Sequence, residues 1–329
     1  MPVMYGPDVT FQGCPRATLD DPASWAGAEV VILGAPFDGG TSYRAGARFG
    51  PQAIRTTDHL GQDGVRHHLW LGVDPLRDLG VVDVGDVEMP AGEIETSLRR
   101  LEGAVSTIAR AGKVPLVLGG DHSIAWPDVT GVANHVGFGR VAVLHFDAHA
   151  DTADTQFGSL YGHGTPMRRL IESGAVRGER FFQIGLRGYW PPPDTLDWMA
   201  QRGLHSVEMT EIVRRGLDEV LDECFAAALV DCDGVFLSVD VDVVDAGMAP
   251  GTGTPEPGGL TPRELLMALR RCTMELPVLG IDVVELAPDF DGPGQVTALL
   301  AQRLVMEMLS GIAHRRHGPS GSTLDAARG

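Results

Sequence analysis

The chain has 329 residues, 43% of them hydrophobic, with 26 Lys+Arg against 44 Asp+Glu and a formal net charge of −18. That acidic excess disfavours nucleic acid and anionic membrane surfaces as partners, because both attract Lys and Arg, and it favours small cations and metal ions. The apolar share suffices for a packed core and excludes general disorder.

Residues 1–26 read as an irregular arm without the apolar h-region of a signal peptide. Beyond it, short β-rich apolar runs alternate with segments of helical period. The expected strands are Glu29–Gly34, Leu79–Val84, Pro115–Gly119, Val141–Phe146, Phe181–Leu186, Leu204–Val207, Val235–Asp240 and Leu279–Val284. Between them, helices are expected over Glu93–Ala111, Ile124–Ala133, Pro166–Ser173, Asp194–Gln201, Thr210–Leu229, Pro262–Cys272 and Gln295–Ile312. The clearest start signal is Thr261 as N-cap, followed by Pro262 and by Glu264 at the third position. This alternation predicts a parallel sheet covered by helices on both faces. No linker divides the chain, so residues 1–329 are read as one domain, with 314–329 as a mobile tail. No apolar run reaches the roughly 18–20 residues of a membrane span. Cys14, Cys224, Cys232 and Cys272 form no C-x-x-C pair and read as reduced thiols, which suits a cytoplasmic protein.

In such a fold, functional groups gather just past the C-terminal ends of strands. Three of these positions carry imidazole or carboxylate: Gly120-Asp121-His122-Ser123, Asp147-Ala148-His149-Ala150-Asp151 and Asp240-Val241-Asp242. Residues at i, i+2 and i+4 of an extended segment share a side, so Asp147, His149 and Asp151 can converge, as can Asp240 and Asp242. Four carboxylates packed so closely would repel strongly unless cations compensate them. Carboxylate and imidazole without thiolate suit Mn(II), Fe(II), Ni(II) or Zn(II), and two His with four Asp exceed what one tetrahedral ion needs, which points to two metals. D-x-D alone carries no weight, since about 2.4 instances are expected by chance. D-x-H-x-D is expected only about 0.08 times. Asp121 also reads well as a helix N-cap, and His145 as a buried, hydrogen-bonded structural residue.

The segments Gly119–Ser123, Phe146–Asp151 and Ser238–Asp242 resemble, in this order, the three signature segments of the ureohydrolase family of arginases and agmatinases. Gly34–Gly40, Gly46–Pro51, His163–Pro166, Ala249–Pro255 and Asp282–Glu285 also match, and the resemblance spans Glu29 to Leu309, closest to the agmatinase branch. It implies a three-layer α/β/α fold of the arginase–deacetylase type, with a mainly parallel, roughly eight-stranded sheet. It also implies two Mn(II) per chain, assembly as trimers or hexamers, and hydrolysis of a guanidinium group to urea and an amine. By resemblance His122, Asp147, Asp151 and Asp240 hold one ion, and Asp147, His149, Asp240 and Asp242 the other. Asp151 would also orient the nucleophile and move its proton. Glu285 would pair with the substrate guanidinium, a planar group suited to bidentate recognition, and His163 would shuttle protons or bind substrate.

Substrate choice is expected in the loops Thr152–Gly162 and Arg187–Asp194. The first lacks the Asn- and Ser-rich pattern with which arginases bind an α-amino acid, and the acidic charge suits agmatine, a dication. Arg187 keeps a guanidino acid open, as the receiver of its carboxylate. A single-zinc deacetylase of the related fold is a further alternative, and it would not need His122 and Asp242. The glycine-rich stretch Gly251–Gly259 lacks a phosphate-loop pattern and is expected to shape the loop beside the ligands.

Overall fold

The computed structural model describes residues 2–58 and 64–324. Its eight strands are β1 (Val30–Gly34), β2 (Val81–Asp86), β3 (Val114–Leu118), β4 (Val141–Phe146), β5 (Phe181–Leu186), β6 (His205–Glu208), β7 (Gly234–Asp240) and β8 (Val278–Val284). They form one sheet in the order β2-β1-β3-β8-β7-β4-β5-β6, with every neighbouring pair parallel. Strand β4, Val-Ala-Val-Leu-His-Phe, is buried along its whole length, as a strand covered on both faces must be. Alternate residues feed two cores: Val30 and Ile32 of β1 pack on one side of the sheet, Val31 and Leu33 on the other.

The helices are α1 (Gly50–Thr56), α2 (Pro75–Asp78), α3 (Ile94–Arg110), α4 (Ala125–Val136), α5 (Pro166–Glu172), α6 (Pro193–Gln201), α7 (Met209–Arg215), α8 (Leu217–Ala228), α9 (Pro262–Glu275) and α10 (Val296–His317). Helices α9 and α10 cover one face of the sheet, α3 and α4 the other. The expected capping box holds: Thr261 Oγ1 accepts from the Glu264 N–H at 3.2 Å, while a Glu264 carboxylate oxygen accepts from the Thr261 N–H at 2.8 Å.

Three differences from the sequence reading have local causes. The helix expected over Thr210–Leu229 is two helices, broken at Gly216, whose φ of 91° no helix accommodates. Helices α1 and α2, seven and four residues long, are too short to display a period. Helix α10 runs on to His317, and Ser320 and Gly321 donate to Gly72 O at 2.8 Å. Of the expected mobile tail, 325–329 lies outside the described residues. By length and mean hydropathy α10 could cross a membrane, but 78% of that stretch is buried within the protein, as befits a core helix.

The arm of residues 2–26 docks on β2, where the Met4 and Phe11 N–H groups donate to Asp86 and Asp83 at 2.8 and 2.9 Å. Arg55 of α1 meets the same two carboxylates from the core side, at 2.5 and 2.8 Å. What the topology does for function is to place β3, β8, β7 and β4 side by side at the centre of the sheet. Their C-terminal ends open onto one spot.

Candidate active site

Strand β3 is followed by Gly119-Gly120, and a Cβ on Gly120 would lie 1.8 Å from Phe37 O, so only glycine lets the chain pass here. Asp121 then accepts from the Ser123 N–H at 3.1 Å, capping the turn His122–Ile124, and from the Gly40 N–H at 2.7 Å. Its reading as an N-cap holds. The turn points His122 across the sheet end. Its Nδ1 lies 2.9 Å from Asp147 Oδ2, 3.1 Å from Asp151 Oδ2 and 3.5 Å from Asp240 Oδ2. A second group sits beside it, with His149 Nδ1 3.0 Å from Asp242 Oδ2 and 3.5 Å from Asp147 Oδ1. The two oxygens of Asp147 thus face the two groups. Asp240 Oδ2 faces the first group, while its Oδ1 accepts from the Asp242 N–H at 2.7 Å. All six ligand candidates are brought together.

The electrostatics demand a cation. Burial, then Asp242 and Asp147, push the Asp240 carboxyl well above the usual carboxylate range. Burial likewise raises Asp242. Burial opposes a charge on His122, but the close carboxylates of Asp147, Asp151 and Asp240 outweigh it and raise the imidazole far above its ordinary value. The protein alone can settle this cluster only by retaining protons. His122 Nδ1 and Asp242 Oδ2 are nevertheless buried without a hydrogen-bond partner among the described residues. Orphaned ligand atoms converging in two groups, all imidazole or carboxylate, fit two divalent ions.

His145 lies within ligand distance of the first group, with Nε2 2.8 Å from Asp147 Oδ2. It is buried and hydrogen-bonded as expected, and it donates to Asp147, which occupies the Nε2 position a metal would need. Behind it Gln183 Nε2 approaches its Nδ1 at 3.4 Å and donates to Ala150 O at 2.6 Å. The sequence assigns no role to Gln183 or Ser42, nor to Ser238 and Asp282, although the latter two stand in segments that match the family. A signal existed for Asp282, an acid inside the otherwise apolar run Val278–Val284.

Glu285 follows β8. Its Oε1 accepts from the His122 N–H at 2.7 Å and contacts His163 Nδ1 at 2.8 Å, whereas its Oε2 is buried with no partner among the described residues. Burial opposes its charge, but His163 and the His122 N–H hold the carboxyl below its usual range. Ser42 Oγ lies 2.7 Å from His163 Nε2. Asp151 and Glu285 have φ of 52° and 64°, a region costing non-glycine residues roughly 1 kcal/mol or more, which strand-end geometry imposes here. Both residues line a cavity of about 230 Å³ with Ser42, His149, Gln156, His163, Gly164, Trp190, Asp240 and Thr254.

Arg187 is not available for a carboxylate. Its guanidinium donates to the carbonyls of Asp242 at 2.6 Å, Glu256 at 2.7 Å, Gly185 and Pro257 at 3.1 Å, Val243 at 3.2 Å and Val244 at 3.3 Å. It ties the loop after β7 to the ligand strand. Asp245 fastens the same loop by accepting from the Gly247 and Gly258 N–H groups at 2.9 and 2.6 Å. Asp291 accepts from the first-turn N–H groups of Thr297 and Ala298 at 2.8 Å and so caps α10.

A model of the arginase family matches residues 28–311. The proclavaminate amidinohydrolase of Streptomyces clavuligerus is 39% identical over 285 residues, 86% of this chain and 88% of that one. Its solved structure has a TM-score of 0.83 at 37% identity, covering 95% of this chain and 99% of that chain. The guanidinopropionase of Pseudomonas aeruginosa is 39% identical, covering 91% of this chain and 90% of that protein. The mitochondrial agmatinase of Gallus gallus is 38% identical, covering 90% and 84%. The chain therefore belongs to the arginase family, as a ureohydrolase acting on guanidino or amidino C–N bonds.

Proposed function

We propose that this enzyme hydrolyses agmatine to putrescine and urea at a centre of two Mn(II) ions. The observation that carries the substrate is the cavity lining, which among the described residues includes no arginine or lysine. A guanidino acid finds no arginine or lysine there for its carboxylate, Arg187 being committed to carbonyls. The ammonium of agmatine meets the Trp190 indole, whose face attracts cations.

His122, Asp147, Asp151 and Asp240 would hold one ion, and Asp147, His149, Asp240 and Asp242 the other. When bound, the ions lower the pKa of water by many units and so meet the need for a strong nucleophile at neutral pH. The chain supplies the rest. Glu285 Oε2, ionised and unpartnered, accepts from the substrate guanidinium and orients it. His163 keeps Glu285 in place through Nδ1, with Ser42 at its other nitrogen. Asp151, which lines the cavity, carries a proton from the attacking water to the departing amine.

A guanidino acid is the second reading, favoured by the resemblance to guanidinopropionase. We also propose a cytoplasmic homo-oligomer, trimer or hexamer, in keeping with four cysteines free of disulfides. The deciding experiment compares urea release from agmatine, 4-guanidinobutyrate, 3-guanidinopropionate and arginine with Mn(II) present. Agmatine should give the highest kcat/KM. A higher value for either guanidino acid would overturn the substrate, and no urea from any would overturn the activity.

A further inference from the structure

The two histidines of the centre are held in different ways. His149 is partly exposed on the cavity side, and no hydrogen bond reaches its Nε2 among the described residues. His122 is fully enclosed, and its Nε2 lies 2.8 Å from Ser238 Oγ. Ser238 Oγ in turn lies 2.8 Å from Asp282 Oδ1, across the β7–β8 ladder where these two residues are register partners. All three side chains are shut off from solvent.

The direction of the proton in each bond follows from its neighbours. Asp282 Oδ1 also accepts from the Val239 N–H at 3.3 Å, so this oxygen acts as an acceptor twice over. The Ser238 hydroxyl must then donate to it. A hydroxyl has one proton, so its remaining contact with His122 is as acceptor, and the imidazole carries its hydrogen on Nε2. In the neutral imidazole the lone pair is then left on Nδ1, the atom that faces Asp147, Asp151 and Asp240 and has no hydrogen-bond partner among the described residues.

We infer that Asp282, acting through Ser238, is the positioning residue that fixes the tautomer and ring orientation of His122 and so tunes one ion site of the pair. This rests on the two-ion centre proposed above. Outer hydrogen bonds of this kind are commonly needed because an imidazole free to rotate or to carry its proton on the ligating nitrogen binds metal poorly. Here the relay serves His122 alone. Its loss should therefore separate two sites that share Asp147.

The test uses the full-length protein, stripped of metal and titrated calorimetrically with Mn(II) alone, in wild type, S238A, D282A, S238A/D282A and the conservative D282N, which retains an oxygen acceptor. The melting temperature of each metal-free protein is measured alongside. Wild type should bind two equivalents. S238A and D282A should each weaken one equivalent by about 10–100-fold and leave the other near its wild-type affinity. The double variant should be no worse than the weaker single, since the two residues act in series, and D282N should fall between wild type and D282A. Should D282A fail to fold, S238A carries the same expectation. Unchanged affinities in S238A, losses that add in the double variant, or equal weakening of both sites in step with melting temperature would overturn the inference. A wild type that binds no Mn(II) would instead overturn the two-ion centre, and this inference with it.

Discussion

The inner and outer ends of the active-site cavity come from different parts of the chain. The inner end is made of Asp147, Asp151, Asp240, Asp242, His122 and Glu285, buried residues at the ends of four adjacent strands. The outer end is made of Gln156, Gly164, Trp190 and Thr254 on loops, where Phe157 is 89% exposed and Trp190 37%. Buried strands hold the reacting groups to a fixed geometry, while the loops can change residue or length without disturbing the sheet. Reaction class and substrate choice are thus physically separable in this molecule, and substitutions at the two ends should have different signatures.

The largest effect belongs to the inner end. Asp147→Ala removes a carboxylate that faces both groups, and both metal occupancy and turnover should be lost, a fall of more than about 1,000-fold in kcat. Retention of either, by metal analysis or by urea assay, would contradict the shared role. Glu285→Gln keeps the shape but removes the charge offered to the guanidinium. A loss of about 1.5–3 kcal/mol, the range for hydrogen bonds to charged groups, corresponds to roughly a 10–100-fold drop in kcat/KM for every guanidino substrate alike. A drop confined to one substrate would move Glu285 to the outer end.

The same division governs what the sequence discloses. The strand-end carboxylates and histidines are legible because they stand just past the C-terminal ends of apolar runs, and all six converge there, although through turns rather than an extended segment: Asp242 sits in the turn Val241–Val243 and Asp151 has a φ of 52°. Inner strands are legible for a related reason: β1 and β3, covered on both faces, are unbroken apolar runs, whereas the edge strand β6 is largely exposed. The roles of Asp282 and Gln183 are not legible, because they arise from neighbours on adjoining strands, β7 and β4, and register between strands is not written in either segment. Arg187 misled for the opposite reason. Its loop position suggests a ligand contact, whereas the fold wraps carbonyls around it.

Trp190 tests the outer end. Its indole is a shared wall between the 230 Å³ cavity and a neighbouring cavity of about 490 Å³ lined by Asp154, Asp194 and Trp198. Trp190→Ala should join the two, lowering kcat/KM for agmatine by about 10-fold through loss of the aromatic face, while longer alkylguanidines gain relative to it. Mn(II) content should stay at the wild-type level. A chain-length series showing a uniform loss, or lost metal, would place Trp190 with the inner residues.

The smallest expected effect lies where the two ends meet, at His163. Burial opposes its charge, but Glu285, Asp121 and Asp151 outweigh burial and raise its pKa from 6.5 to about 9 in the metal-free protein. The Ser42 N–H, 3.2 Å from Nε2, pulls the other way, because it can donate only to an imidazole unprotonated at that atom. The two influences predict different titrations. If Glu285 dominates, the folded pKa is raised, so His163 contributes stability that is complete below pH 6.5 and is lost as pH rises through about 9. If Ser42 dominates, the imidazole stays neutral and contributes no slope in that window. The carboxylate contacts are the stronger, being charge-assisted, so the metal-free wild type should lose melting temperature between pH 6.5 and 9 relative to His163→Gln, by on the order of 2–4 °C. Parallel curves for the two proteins would give the site to Ser42 and a neutral histidine. With divalent ions loaded, the added positive charge lowers the histidine's proton affinity, so the difference should shrink.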